Sequence, residues 1–193
     1  DVLQNLLMAD THDTLLFFTN RGRAYSIRCF DIPIDASRTT RGISAVNLLS
    51  LTDGEQVNAV LAIPSNNEDE FIMMATRKGE IKRMVSSSLT KIRSNGLIAM
   101  DLEPGDELVS VRGAREGDEV VIVTEMGMAA RFPIANVRSS SRYSGGVRGI
   151  RLDPEDKVVS MDVVIPGAQL FVVSRKGFGK LTPIQAYRKT ARG

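Results

Sequence analysis

Arg77, Lys78, Lys82 and Arg83 flank a single glycine, Gly79, in a chain whose net charge is only +2. Cations this close together, with small hydroxyl residues and glycine around them, suit the neutralisation of phosphate oxygens better than bond-breaking chemistry. The cluster returns as Arg21 and Arg23 around Gly22, as Arg131 after Gly127, and as Arg175, Lys176 and Lys180 around Gly177. A second set lies in the polar loops that follow. It comprises Arg38 and Arg41 before Gly42, Lys91 and Arg93 before Gly96, Arg138, Arg142 and Arg148 about Gly145 and Gly146, and Arg188, Lys189 and Arg192 before Gly193. All of these cations are candidate phosphate contacts.

Other chemistries find less support. Glu68-Asp69-Glu70, Asp106-Glu107 and Asp118-Glu119 pair carboxylates, but each group precedes an apolar strand without a histidine or nucleophile beside it, so solvated turns are expected. His12 is the only histidine, and one histidine beside Asp13 makes neither a metal site nor a triad. Tyr25, Tyr143 and Tyr187 sit in no recognisable cleavage motif. Gly177-Phe178-Gly179-Lys180 lacks the GxxxxGK[ST] spacing of a phosphate loop and reads as a hairpin turn. The lone Cys29 cannot pair within the chain and fits a reducing cytosol. No apolar run approaches the roughly 18 residues of a membrane span, and the start lacks a basic signal-peptide region.

The elements that must carry these cations repeat. Leu15–Gly22, Ile72–Gly79, Val120–Gly127 and Leu170–Gly177 share four apolar residues, Thr or Ser, two variable residues and Gly, the pattern of a strand running into a tight turn. Their glycines are 57, 48 and 50 residues apart, in the range of propeller blades. After the hairpin and basic loop of the three complete copies the pattern predicts a third strand, an acidic turn (Leu51-Thr52-Asp53-Gly54-Glu55, Glu103-Pro104-Gly105-Asp106-Glu107, Asp153-Pro154-Glu155-Asp156-Lys157) and a fourth strand. No helical stripe of 11 or more residues occurs, so the chain is expected to be all-β, with Pro33 and Pro133 at strand ends or in loops. The repeats run over about 14–63, 70–112, 119–164 and 169–193, the last one partial, so the array of four-stranded antiparallel blades is expected to be incomplete. Asp1, in place of an initiator Met, suggests a piece of a longer chain.

Charge follows the repeat. Residues 20–45, 76–93, 124–151 and 174–193 carry five, six, five and six basic groups against two, one, one and no acidic ones, while the stretches between them are acidic. Stacked in register, such repeats would place the cations on one belt and the carboxylates on another surface. Basic hairpins can also be plain edge protection. The competing expectation is therefore a propeller-type protein-interaction scaffold that docks through its acidic turns.

Particular residues then carry a resemblance. Thr11-His12-Asp13 leads into Leu16-Phe17-Phe18 and Arg21-Gly22-Arg23-Ala24-Tyr25; Arg41-Gly42 accompanies Val46-Asn47-Leu48-Leu49; Met74-Ala75-Thr76 precedes Lys78-Gly79. Gly105-Asp106-Glu107-Leu108 and Gly146-Val147-Arg148-Gly149-Ile150-Arg151-Leu152 with Asp156-Lys157-Val158-Val159-Ser160 complete the set. The chain thus resembles, along nearly all its length, the C-terminal DNA-wrapping domain of DNA gyrase A, part of a type IIA topoisomerase. The corresponding polypeptide of topoisomerase IV, which carries a related and more degenerate C-terminal domain, is the runner-up. The resemblance implies a β-pinwheel, a propeller-like fold whose neighbouring blades exchange strands, with duplex DNA wrapped on its basic rim, where the cations named above fall. It further implies a non-catalytic part of a bacterial, cytoplasmic, nucleoid-associated enzyme. The cleaving tyrosine, ATP and Mg2+ would lie on other domains, and the partners would be duplex DNA, the rest of gyrase A, and gyrase B. The family's seven-residue box, Gln-Arg-Arg-Gly-Gly-(Lys/Arg)-Gly, is not in this sequence, which starts just after the place expected for it. Gly42, Gly96, Gly146 and Gly193 look like degenerate counterparts in later blades.

Overall fold

A computed structural model describes residues 6–34, 42–64, 71–89, 92–93 and 95–192. In chain order the strands are β1 Thr14–Thr19, β2 Arg23–Arg28, β3 Val57–Ile63, β4 Phe71–Thr76, β5 Glu80–Val85, β6 Leu97–Ile98, β7 Leu108–Ala114, β8 Glu119–Thr124, β9 Ala129–Pro133, β10 Val147–Arg148, β11 Val158–Val163, β12 Gln169–Val173 and β13 Gly179–Pro183. Every pairing between these strands is antiparallel, so the chain is nearly all β, as expected.

The sheets run β3-β1-β2-β6, β10-β5-β4-β7, β11-β8-β9 and β12-β13. The two four-stranded sheets are not built from one repeat each. β6 follows the second hairpin but pairs with β2 of the first sheet, Leu97 opposite Ala24. β10 follows the third hairpin but pairs with β5 of the second, Val147 opposite Ile81. Neighbouring sheets therefore exchange a strand, the arrangement the resemblance implies. Each exchange ends on a hairpin glycine: the Gly22 carbonyl accepts from the N–H groups of Ala99 (2.9 Å) and Met100 (3.0 Å), and the Gly79 carbonyl from Gly149 (2.8 Å) and Ile150 (3.3 Å).

One expected strand is absent. The third strand predicted after Gly42 is a single helical turn, Ala45–Leu48, with Ile43 and Val46 exposed. Its counterparts β6 and β10 are strands because a preceding sheet edge fills their backbone hydrogen bonds. No such edge reaches Ala45–Leu48 among the described residues, and the N–H groups of Asn47 and Leu49 bond locally, to the Ser44 (2.9 Å) and Ala45 (2.8 Å) carbonyls. Pro133 ends β9 and Pro33 lies outside any strand, as predicted.

The sheets stack face to face. On β4, Ile72 and Met74 face the first sheet's Leu16 and Phe18, while Met73 and Ala75 face the third sheet's Val120 and Ile122. A strand covered on both sides needs apolar residues at every position, which is why Phe71–Ala75 shows no alternation. Each such fully buried side chain contributes roughly 1.5–3 kcal/mol. Packing thins toward β12 and β13, where Phe171, Val173, Phe178 and Leu181 are exposed.

Candidate nucleic-acid interface

The hairpin closes with help from its Thr. Glu80 N–H donates to Thr76 Oγ1 (3.1 Å) and Met128 N–H to Thr124 Oγ1 (3.0 Å). Against the same end of each sheet lies the acidic turn. Asp106 Oδ1 accepts from the N–H groups of Lys78 (2.9 Å) and Glu107 (2.8 Å), and Asp156 Oδ1 from those of Met126 (3.0 Å) and Lys157 (2.8 Å). Glu55 takes this place in the first sheet and accepts from Thr19 Oγ1 (2.7 Å), Tyr25 Oη (3.0 Å), Thr52 N–H (2.9 Å) and Thr52 Oγ1 (2.9 Å). Burial pushes the Glu55 carboxyl up, but these hydrogen bonds outweigh it and hold the group below the usual carboxylate range. Burial likewise raises Asp156, and hydrogen bonds from Thr124, Met126 and Lys157 bring it below its ordinary value.

The acidic turns therefore do not form a surface apart from the cations. Arg21 donates to Thr52 Oγ1 (3.1 Å) and the Asp53 carbonyl (2.6 Å), Arg77 pairs with Glu107 (2.9 Å), and Lys78 donates to the Pro104 carbonyl (2.7 Å). Glu125 of the third hairpin sits between Lys157 (3.1 Å) and Arg175 (3.3 Å). At the hairpin tips, cations and carboxylates interleave because the turn before the fourth strand must meet the hairpin that this strand pairs beside.

Other candidates face inward. Lys82 is 1% exposed, with Nζ donating to the carbonyls of Ala99 (2.7 Å) and Ser144 (2.8 Å), so it is removed from the phosphate-contact set. Its position, three residues after the hairpin glycine, is also held by the buried Tyr25 and Ala130, and in the last hairpin, where packing thins, by the exposed Lys180. Arg83, with a side chain 13% exposed, lies over the Phe71 ring (4.5 Å) and against Glu116 (3.5 Å). Arg131, in the equivalent place, donates to Glu119 (2.7 Å) and to the carbonyls of Ile184 (2.9 Å) and Tyr187 (3.4 Å). Arg23 meets Tyr25 Oη (3.2 Å), Glu55 (3.6 Å) and the Asn95 carbonyl.

What remains outward is mostly on the loops after the hairpins. Arg93, Arg138, Arg142, Arg148, Arg188, Lys189 and Arg192 are at least partly exposed, as are Lys176 and Lys180 of the last hairpin. Lys189 also pairs with Glu119, whose carboxyl that contact, together with Arg131, keeps low against the opposing effect of burial. Arg28 and Arg151 are exposed too, although the repeat pattern did not single them out. Arg38, Arg41 and Lys91 lie outside the described residues, as do Glu68, Asp69 and Glu70.

Two of the loops are placed alike. Each crosses the second strand of the hairpin before it. Ser140 N–H donates to the Arg83 carbonyl (2.9 Å) on β5, and Thr190 N–H to the Arg131 carbonyl (2.8 Å) on β9. Arg83 and Arg131 each stand four residues after their hairpin glycine, so the loops carrying Arg138 and Arg142, and Arg188 and Arg192, occupy equivalent positions on successive sheets. Two cationic loops so seated present their positive charge at equivalent places on neighbouring sheets.

The tyrosines and the remaining polar groups take structural places. Tyr25 is buried and donates to the Ser50 carbonyl (3.2 Å) as well as to Glu55. Tyr143 is exposed with φ +63°, beside Arg142. Gly177 N–H bonds the Ser174 carbonyl (2.9 Å) in a hairpin turn between β12 and β13, as its spacing predicted. Asp118 accepts from Arg115 N–H (2.7 Å), and His12 lies 3.2 Å from Asp10 at the surface. Among the described residues no three His, Cys, Asp or Glu side chains form a metal-holding group, and no helix is long and apolar enough to cross a membrane.

Comparison with known proteins adds independent findings. The family described as DNA gyrase C-terminal domain, beta-propeller, matches residues 13–64, 70–113, 118–165 and 168–193. The DNA gyrase A polypeptide of Dehalogenimonas lykanthroporepellens is 42% identical over 150 residues, 78% of this chain and 18% of that protein. Its Clostridium acetobutylicum counterpart is 42% identical over 149 residues, 77% of this chain and 18% of that protein. The chain thus spans under a fifth of the length of these relatives. Among solved structures, a DNA gyrase A C-terminal domain aligns at TM-score 0.81 and 25% identity, covering 95% of this chain and 59% of the other. The C-terminal domain of DNA topoisomerase IV aligns at TM-score 0.83 and 23% identity, covering 95% and 57%, a likeness of fold.

Proposed function

The chain belongs to the DNA gyrase C-terminal domain, beta-propeller family, and from that premise we propose that it binds and bends duplex DNA along its basic loops as the wrapping part of a gyrase A polypeptide. The observation that carries the proposal is the equivalent seating of the loops at Arg138–Arg142 and Arg188–Arg192 on the second strands of successive hairpins. Cations spaced along the loops, in a chain with 5% aromatic residues and no Trp, suit phosphates of a duplex better than stacked single-strand bases; on the loops at 138–148 and 188–192 the one aromatic side chain is Tyr143. The contact set is Arg93, Arg138, Arg142, Arg148, Arg188 and Arg192, with Lys176 and Lys180, and with Arg38, Arg41 and Lys91 on the loops outside the described residues. Arg21, Arg77, Lys78, Arg175 and Lys189 take a smaller part because each is already engaged at the surface.

Bending the duplex along a stack of sheets costs on the order of 1–6 kcal/mol per 20–30 base pairs, and counter-ion release at the loops offsets it. The repeats are taken as about 14–63, 70–112, 119–164 and 169–193, each contributing one basic loop to the proposed path. In the parent protein, the wrapped segment would be delivered to a cleavage centre on another domain. Gyrase B would supply ATP hydrolysis, so that strand passage introduces negative supercoils.

The test is a roughly 40-base-pair duplex with a fluorophore at each end, titrated with the chain at several salt concentrations. Binding that weakens steeply with salt and brings the ends together supports the proposal. Binding without end approach removes the bending, and salt-insensitive or absent binding removes the function.

A further inference from the structure

Three cations that the sequence counts among phosphate contacts share a different geometry. Arg23 on β2 donates to the Asn95 carbonyl, Lys82 on β5 to the Ala99 and Ser144 carbonyls, and Arg131 on β9 to the Ile184 and Tyr187 carbonyls. In each case the donor is on the second strand of a hairpin, and at least one acceptor is backbone of the following repeat, beside a basic loop. The contacts of Lys82 are the most enclosed. Ser144, which also accepts from Asp101 N–H (3.0 Å), lies between Arg142 and Arg148, and its hydroxyl donates to the Ser141 carbonyl (2.8 Å).

We propose that Arg23, Lys82 and Arg131 are clasps: cations on the second strand of each hairpin that take the backbone carbonyls of the incoming basic loop and so set the position of the phosphate-contacting side chains, without touching the nucleic acid themselves. Carbonyls on a loop that turns over a sheet lie outside the strand ladders; those of Ser144 and Ile184 each accept one backbone N–H, from Asp101 and Tyr187, and a long cationic side chain reaching under the loop adds a second, charge-assisted bond. Lys82 can do so from a buried position because its flexible stem packs among apolar side chains while the ammonium meets two acceptors. Burial lowers its pKa to about 8, with the carboxylate of Asp101 raising it in part, so the group is still mainly charged at neutral pH. A clasp explains a pattern that phosphate binding does not: the three side chains point at the next repeat and not away from the stack. As positioning residues for DNA binding, they rest on the function proposed above.

Lys82→Met keeps the buried stem and removes the donor; Arg131→Met does the same at the next loop, in a less enclosed place. In the DNA-free chain at pH 7, hydrogen exchange should rise by roughly tenfold or more at the 140–148 amides in Lys82→Met, and at the 184–190 amides in Arg131→Met, with the β1 and β4 amides unchanged. Arg131→Lys, which retains a donor, should recover most of the protection. On the duplex, Lys82→Met should weaken binding by about threefold or more through lost pre-organisation. Its slope of log K against log salt should stay within about 0.3 of the unsubstituted chain, where a lost phosphate contact would change it by about 0.9. Unchanged exchange in the loops, a rise spread evenly over all sheets, unchanged affinity, or a slope shallower by about 0.9 overturns the clasp. If Lys82→Met does not fold, Arg131→Met and its rescue decide. If the unsubstituted chain binds no DNA, the proposed function fails while the exchange measurements still settle the clasp.

Discussion

The exchanged strands make a quantitative prediction at the hairpin glycines. Gly22 has φ +71°, and a Cβ placed on it would stand 2.1 Å from the Met100 carbonyl oxygen; Gly127 has φ +86° but meets nothing within 4 Å. Replacing either by Ala carries the strain of a left-handed residue, about 1–2 kcal/mol. At Gly22 the methyl must also displace the segment after β6, breaking the bonds from Ala99 and Met100 to the Gly22 carbonyl, each worth roughly 0.5–1.5 kcal/mol. Gly22→Ala should therefore destabilise by about 2–5 kcal/mol and Gly127→Ala by about 1–2 kcal/mol. Urea unfolding followed by far-ultraviolet circular dichroism reads the difference, and exchange at Ala99 and Met100 should rise in the first variant alone. Equal destabilisation by the two substitutions would refute the idea that the Gly22 turn is the seat of an exchanged strand.

Two further substitutions test the acidic turns. Glu55→Gln loses a charged acceptor of four hydrogen bonds and should cost about 1.5–3 kcal/mol at pH 7. Because the folded-state pKa of Glu55 is lowered, that contribution is complete above the ordinary carboxylate pKa of about 4.3 and disappears as pH falls through the folded value, so denaturation curves of the two proteins should converge in acid. Glu155 has φ +67° where the other turns have Gly54 and Gly105, so Glu155→Gly should stabilise the chain by roughly 0.5–1.5 kcal/mol, seen as a higher thermal midpoint.

How much of this was legible in the sequence depended on how local the cause was. The hairpins were readable because an apolar run, a Thr and a glycine at fixed spacing act within a few residues. The destination of β6 and β10 was not, since Leu97 and Val147 look like strands whichever sheet they join, and here the exchange came from the family resemblance. Ala45–Leu48 shows the converse: Gly42-Ile43-Ser44-Ala45-Val46 follows the pattern of Gly96-Leu97-Ile98-Ala99-Met100, yet without a described edge beside it the backbone coils. For the interface, counting cations per window pointed to the loops, whose described cations are exposed, but could not separate Arg142, which faces outward, from Lys82, which faces the stack. Both faces of β5 are covered, so period-two alternation carries no signal there, and the column shared with the buried Tyr25 and Ala130 also holds the exposed Lys180. The acidic turns misled for a related reason: Asp106 and Asp156 serve backbone N–H groups far away in sequence, in the hairpins at Lys78 and Met126.

The most direct test of DNA binding through the loops compares the chain with an Arg138→Ala, Arg142→Ala, Arg188→Ala, Arg192→Ala variant on a duplex of about 40 base pairs across a salt series. Each lost phosphate contact should make the slope of log K against log salt shallower by about 0.9, so the variant should differ by roughly 3–4 units, with circular dichroism unchanged. A slope that does not move on removing four loop arginines would contradict the account.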